Sequence, residues 1–108
     1  MSSLLYWYLD GHTPVSTDDP VKWAETFKSQ DRRVAQTDVD QYSVSTVFLG
    51  IDHNWYPSGR PILFETMVFT DQEDPLDQWQ ARYCTWEEAE AGHEAVVYKL
   101  RNRLEVPE

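Results

Sequence analysis

Asp52-His53-Asn54 is where this sequence comes closest to chemistry, because a polar run leaving an apolar, β-branched segment is a common place for a scaffold to present reactive side chains. An imidazole beside a carboxylate can act as an oriented general base, and two carboxylates with a histidine suit a divalent ion. Glu65 is in phase with Leu63, Met67 and Phe69 on a strand-like segment. If that apolar face is the core, the carboxylate needs a cation or a donor, and His53, His93, Arg60 and Arg82 are the candidates. His93 falls on the apolar stripe of a helical segment, beside Gly92, whose missing side chain would allow close approach to a sheet. The candidate ligand-binding set is therefore Asp52, His53, Asn54, Glu65 and His93.

Each member also has a structural reading. Asp52 and Asn54 can hydrogen-bond turn backbone, His53 can pack on Trp55, Glu65 can anchor a buried ion pair, and His93 can be a satisfied core histidine. No catalytic residue, resident metal or cofactor is expected. The single cysteine, Cys84, has no partner for an internal disulfide and no Cys-x-x-Cys spacing, so it reads as an inert thiol. Asp71, Glu73, Asp74 and Asp77 lack the glycine and terminal glutamate of a calcium loop and read as a solvated connection. Phosphate-binding loops, the Gly-x-Ser-x-Gly elbow and zinc-protease motifs do not occur.

The elements that must position these residues follow from periodicity. Leu5, Trp7 and Leu9 alternate with Tyr6 and Tyr8 before Asp10-Gly11, which predicts an opening strand and turn. Asp18-Asp19-Pro20 is a helix start, and Trp23, Ala24 and Phe27 give that helix one face from about Pro20 to Ser29. Arg32 to Thr37, Tyr42 to Ile51, Pro61 to Thr70 and Gln78 to Cys84 read as strands of an antiparallel meander. Pairing the two longest strands through the loop from Asp52 to Arg60 places Glu65 near Gly50. Thr85-Trp86-Glu87-Glu88 is a capping box. It opens a helix whose stripe is Trp86, Ala89, His93, Val96, Val97, Leu100 and Leu104. Val106-Pro107-Glu108 reads as a loose end. The predicted fold is α+β, in the order β-α-β-β-β-β-α, with the C-terminal helix packed on one face of a small, mainly antiparallel sheet and one domain spanning residues 1–108.

Composition limits the functions open to such a domain. Nineteen acidic residues against nine basic ones leave a formal charge of -10, which repels phosphate and argues against direct nucleic-acid binding. The same field suits a protein partner with a basic surface. No apolar run approaches the roughly 20 residues of a membrane-spanning helix, and Met1 to Trp7 lacks the basic and long apolar regions of a secretory signal. A cytoplasmic setting in a bacterial or host cell, without membrane association, is expected.

Val44-Ser45-Thr46-Val47-Phe48-Leu49-Gly50-Ile51-Asp52-His53-Asn54, Pro61 to Phe69, and Arg82-Tyr83-Cys84-Thr85-Trp86-Glu87-Glu88-Ala89 with Gly92-His93-Glu94 form word-like motifs. With them, most of the chain resembles a group of short, uncharacterised proteins of bacteriophages, prophages and bacterial genomes. It departs from that group after the second motif, where Thr70-Asp71 and an acidic insertion stand in place of glycines. The resemblance implies a phage-type setting and brings no activity with it. Two functions follow as expectations. One is a non-catalytic acidic interaction protein, an inhibitor of a host defence complex of the anti-CRISPR kind or of a nucleic-acid-handling complex. The other is a small-ligand or metal-binding protein, with enzymatic activity open, built around Asp52, His53, Glu65 and His93.

Overall fold

The computed structural model describes residues 6–54 and 59–107. Leu5, Trp55, Pro57, Ser58 and Glu108 of the sequence reading lie outside them. Alternation yields β1 (Tyr6–Asp10), and Gly11, at φ +64°, turns the chain into β2 (Thr13–Thr17). This second strand adds to the predicted order. Pro14 obscures it in the sequence, yet a proline without an amide donor is tolerated in a two-stranded ribbon, where one side of each strand is unpaired.

Helix α1 (Pro20–Ser29) starts as its signals require. Asp19 Oδ1 accepts from the amides of Val21 and Lys22 at 3.0 and 3.2 Å, and Pro20 takes a first-turn position whose amide would have no helical partner. None of its residues is buried, so its attachment depends on a few aromatic contacts. The Trp23 indole donates to the carbonyls of Trp7 and Gly50, both at 3.0 Å, and its ring stacks on Phe27. Phe27 in turn lies against Gly50, where a Cβ would fall 2.3 Å from the ring and φ is +78°. Glycine is thus required at position 50 on both counts.

The remaining strands, β3 (Arg33–Val39), β4 (Tyr42–Phe48), β5 (Phe64–Phe69) and β6 (Gln80–Tyr83), form a four-stranded antiparallel meander in sequence order. Helix α2 (Trp86–Arg101) crosses one face of it, its start closed by the Thr85–Glu88 capping box. Val44 faces Val68, Thr46 faces Thr66 and Phe48 faces Phe64 across β4 and β5, and all are fully buried. Beneath α2 the apolar residues form two clusters. Val39, Val44 and Val68 meet Val96, Val97 and Leu100, whereas Leu9, Phe48, Leu63 and Phe64 meet Trp86 and Ala89. Gly92 permits the approach between them: a Cβ there would come within 2.3 Å of the Tyr83 ring.

The structure corrects the sequence reading in three places. Glu65 pairs with Val47 rather than lying near Gly50, and it occupies the face away from α2, because Phe64, Thr66 and Val68 point into the core. Leu104 does not continue the helical stripe. The helix ends in a Schellman-type closure, with the Leu104 amide donating to Lys99 O, the Arg103 amide to Leu100 O, and Arg103 at φ +54°, which leaves Leu104 half-exposed. The tail then folds back. Val106 is buried in the cluster under the end of α2, and the Trp79 indole donates to the Pro107 carbonyl at 2.8 Å. No helix among the described residues is long and apolar enough to cross a membrane.

Candidate functional site

The chemistry-bearing residues are distributed by the faces of the sheet. The seventh position of α2 after Trp86 points between the two apolar clusters, and His93 occupies it with no solvent exposure. Its Nε2 lies 2.9 Å from Thr37 Oγ1 and its Nδ1 lies 2.7 Å from Thr46 Oγ1. Thr46 hydrogen-bonds onward to Thr66. A neutral imidazole has one donor and one acceptor nitrogen, so two hydroxyls satisfy it in either tautomer. Both nitrogens are engaged, which leaves no lone pair for a metal. Burial pushes the His93 pKa below its usual value, and the carboxylate of Glu94, exposed on the same helix, opposes this more weakly.

Asp52 lies at the neck of the loop after β4. Its Oδ1 accepts from the amides of Asn54 and Ile62 at 2.8 and 2.9 Å, while the Asn54 side-chain amide donates to the Arg60 carbonyl at 2.7 Å. The His53 amide donates to the Ile62 carbonyl, continuing the ladder beyond the strands. Asp52 and Asn54 therefore tie the loop neck through backbone groups, as their residue types favour in turns. The expected packing of His53 on Trp55 falls outside the described residues.

Glu65 sits on the opposite face of the sheet from His93. Arg82 is its cross-strand neighbour, and Arg82 Nε donates to Glu65 Oε2 at 2.9 Å. The carboxylate is 12% exposed and the guanidinium 39%, so this is a partly buried ion pair. Of the partners considered for Glu65, the structure selects Arg82. The candidate set is thus divided among the core, the loop neck and the outer sheet face. Asp52, His53 and Asn54 are brought together; Glu65 and His93 join neither them nor each other. Among the described residues, no group of three or more His, Cys, Asp or Glu side chains is placed to hold a metal ion.

The residues that complete the His93 arrangement, Thr37, Thr46 and Thr66, were not singled out from sequence. Their signal was present. Each threonine falls in phase with buried valines or phenylalanines on its strand, and a hydroxyl on a core face requires a partner. A second polar contact ties the β3–β4 turn to the acidic connection: Tyr42 Oη and Gln41 Nε2 both donate to Asp74 Oδ2. The tyrosine's hydrogen bond, followed by one from the Leu76 amide, holds the Asp74 carboxyl below its usual pKa, and Tyr42 is correspondingly raised. Compared with known proteins, the chain matches no family model, no curated protein and no solved structure.

Two outcomes check this assignment. Because the folded pKa of His93 is lowered, only the unfolded chain takes up a proton there just below about pH 6.5, so the stability associated with neutral His93 is complete above that value and is lost as pH falls through the folded pKa. Thermal unfolding between pH 7 and pH 5 should show this loss in the wild type and a flatter dependence in His93→Gln, although that variant melts lower throughout; equal slopes would place the protonation elsewhere. Glu65→Gln should cost on the order of 1 kcal/mol, a modest value because Arg82 is partly solvated, and adding Arg82→Ala should cost little more. Denaturant titrations showing additive losses would mean that the pair is not coupled.

Proposed function

We propose that this chain is a non-catalytic, acidic interaction protein of phage or prophage type that inhibits a host defence or nucleic-acid-handling complex by occupying a basic surface. The observation that carries the reading is where the charge resides. Glu87, Glu90 and Glu94 are exposed along the outer side of α2, and Asp71, Glu73 and Asp77 are exposed on the β5–β6 connection, with Asp38 and Asp40 exposed at the β3–β4 turn. Several cations are committed elsewhere. Arg60 and Arg82 pair with Glu88 and Glu65, the Arg32 guanidinium lies 3.9 Å from the centre of the Phe27 ring, and the Lys22 ammonium lies over Tyr8. The formal charge of -10 is therefore presented to solvent largely as carboxylate.

The disposition of the titratable residues supports the same reading. His93 is saturated inside the core, Asp52 holds backbone amides and Glu65 is paired, so these groups are occupied by folding rather than gathered around a substrate. The resemblance to phage and prophage proteins supplies the setting. A field of this sign accelerates encounter with a basic partner and repels nucleic acid.

Capture from bacterial lysate with the immobilised chain tests the proposal. A saturable, basic protein partner should be retained at about 0.1 M salt and lost near 1 M, where the screening length shrinks to about 3 Å. Replacing Glu87, Glu90, Glu94, Asp71, Glu73 and Asp77 together by their amides should abolish retention without changing the melting temperature by more than a few degrees. No saturable partner at either salt, or retention that survives both neutralisation and high salt, would overturn it.

A further inference from the structure

The end of the sheet remote from the β1–β2 hairpin carries a groove centred on Leu76. On one side, a depression of about 450 Å³ lies between the β3–β4 turn and the end of α2, where Asp40 and Tyr42 face Leu100 and Arg103. On the other, a depression of about 610 Å³ runs past Trp79 to the returning tail. Leu76 and Leu104 line both, so the two depressions adjoin along these side chains. Leu104 is 51% exposed there, although apolar positions nearby on α2 are buried.

The walls are fixed before any partner arrives. The Schellman-type closure at Arg103 sets the direction of Leu104, the Trp79 indole holds the tail through the Pro107 carbonyl, and Tyr42 and Gln41 bind Asp74. A preformed groove avoids the ordering cost of a flexible one. Its rim is anionic: Asp40 and Glu105 line it, Asp74 lies behind Tyr42, and the exposed Asp71, Glu73 and Asp77 belong to the connection that carries Leu76, against one cation among the described lining residues, Arg103. The outer side of α2 also offers carboxylates, at Glu87, Glu90 and Glu94, but without an apolar recess. Interfaces gain most of their affinity from desolvated apolar anchors, while rim charge chiefly steers encounter and selects sign.

We propose that this groove docks a short protein segment in which apolar residues alternate with lysine or arginine, its apolar side chains contacting Leu76, Trp79 and Leu104 and its cations facing Asp40 and Glu105. The proposal rests on the reading of the chain as an acidic interaction protein and gives that interaction a place.

The Trp79 indole N–H provides the reporter. The probe is a synthetic peptide of alternating lysine and leucine, compared with a lysine–serine and a glutamate–leucine peptide of equal length in titrations of the ¹⁵N-labelled chain, the indole resonance being assigned with Trp79→Phe. The lysine–leucine peptide should shift this resonance saturably and bind at least about tenfold more tightly than either control, because both the anchor and the charge are required. Leu104→Ser, at a half-exposed position outside the core clusters, should keep the wild-type spectrum elsewhere and weaken binding about tenfold or more. Unchanged affinity in Leu104→Ser, equal binding of the lysine–serine peptide, or shifts confined to Ala91 and Ala95 on the outer side of α2 would overturn the groove while leaving the acidic-interaction reading standing. Absence of saturable binding by the lysine–leucine peptide would also overturn the groove; the broader reading is decided by the lysate capture and its salt and neutralisation arms.

Discussion

A buried hydrogen-bonded line, Thr37–His93–Thr46–Thr66, runs across three strands and one helix, and the rest of the structure depends on its being satisfied. It separates the two apolar clusters. The ladder could slip without losing backbone bonds, but a one-residue slip of β4 or β5 would turn Thr46 or Thr66 away from α2 and leave the imidazole without its partner. An unpaired buried polar group costs about 1–3 kcal/mol, a large share of the stability of a domain this size. The line therefore does more for register than a wholly apolar layer would, since valine and phenylalanine attract their neighbours without direction.

Fixing the register fixes the faces, and the faces determine where function can reside. With Thr46 and Thr66 inward, Glu65 must face outward, where Arg82 is its cross-strand neighbour. His93 is committed to the interior by the same pairing. The groups that suggested a site in the sequence are thereby separated, and the surface carries more carboxylates than cations, with a few apolar side chains such as Leu104. The proposed recognition by charge and shape draws on that surface.

Much of the fold was legible because its signals were local. Asp19-Pro20 and Thr85 with Glu88 mark helix starts through hydrogen bonds made within a few residues, and both helices begin where those signals stand. Glu65 was harder to orient, since Leu63, Met67 and Phe69 make its phase as apolar as that of Phe64, Thr66 and Val68; only packing under α2 decides between them. Leu104 misled because periodicity gives no notice of a helix that closes on a non-glycine residue, Arg103. His93 was legible as a core histidine by its place on the stripe. Its three threonine partners were not, because they come from strands far apart in sequence and meet only through the ladder. The groove has the same origin, assembled from a turn, a connection and a tail.

The most direct test of this account is the ring of His93, observed by long-range ¹H–¹⁵N NMR in the intact chain. The account predicts one neutral tautomer above the ordinary value of about 6.5, protonation only below that value, and ring nitrogens unmoved by excess zinc and slow to exchange with solvent. A ring that titrates near the ordinary value of about 6.5, or nitrogen shifts that follow added zinc, would contradict it and return His93 to the list of functional groups.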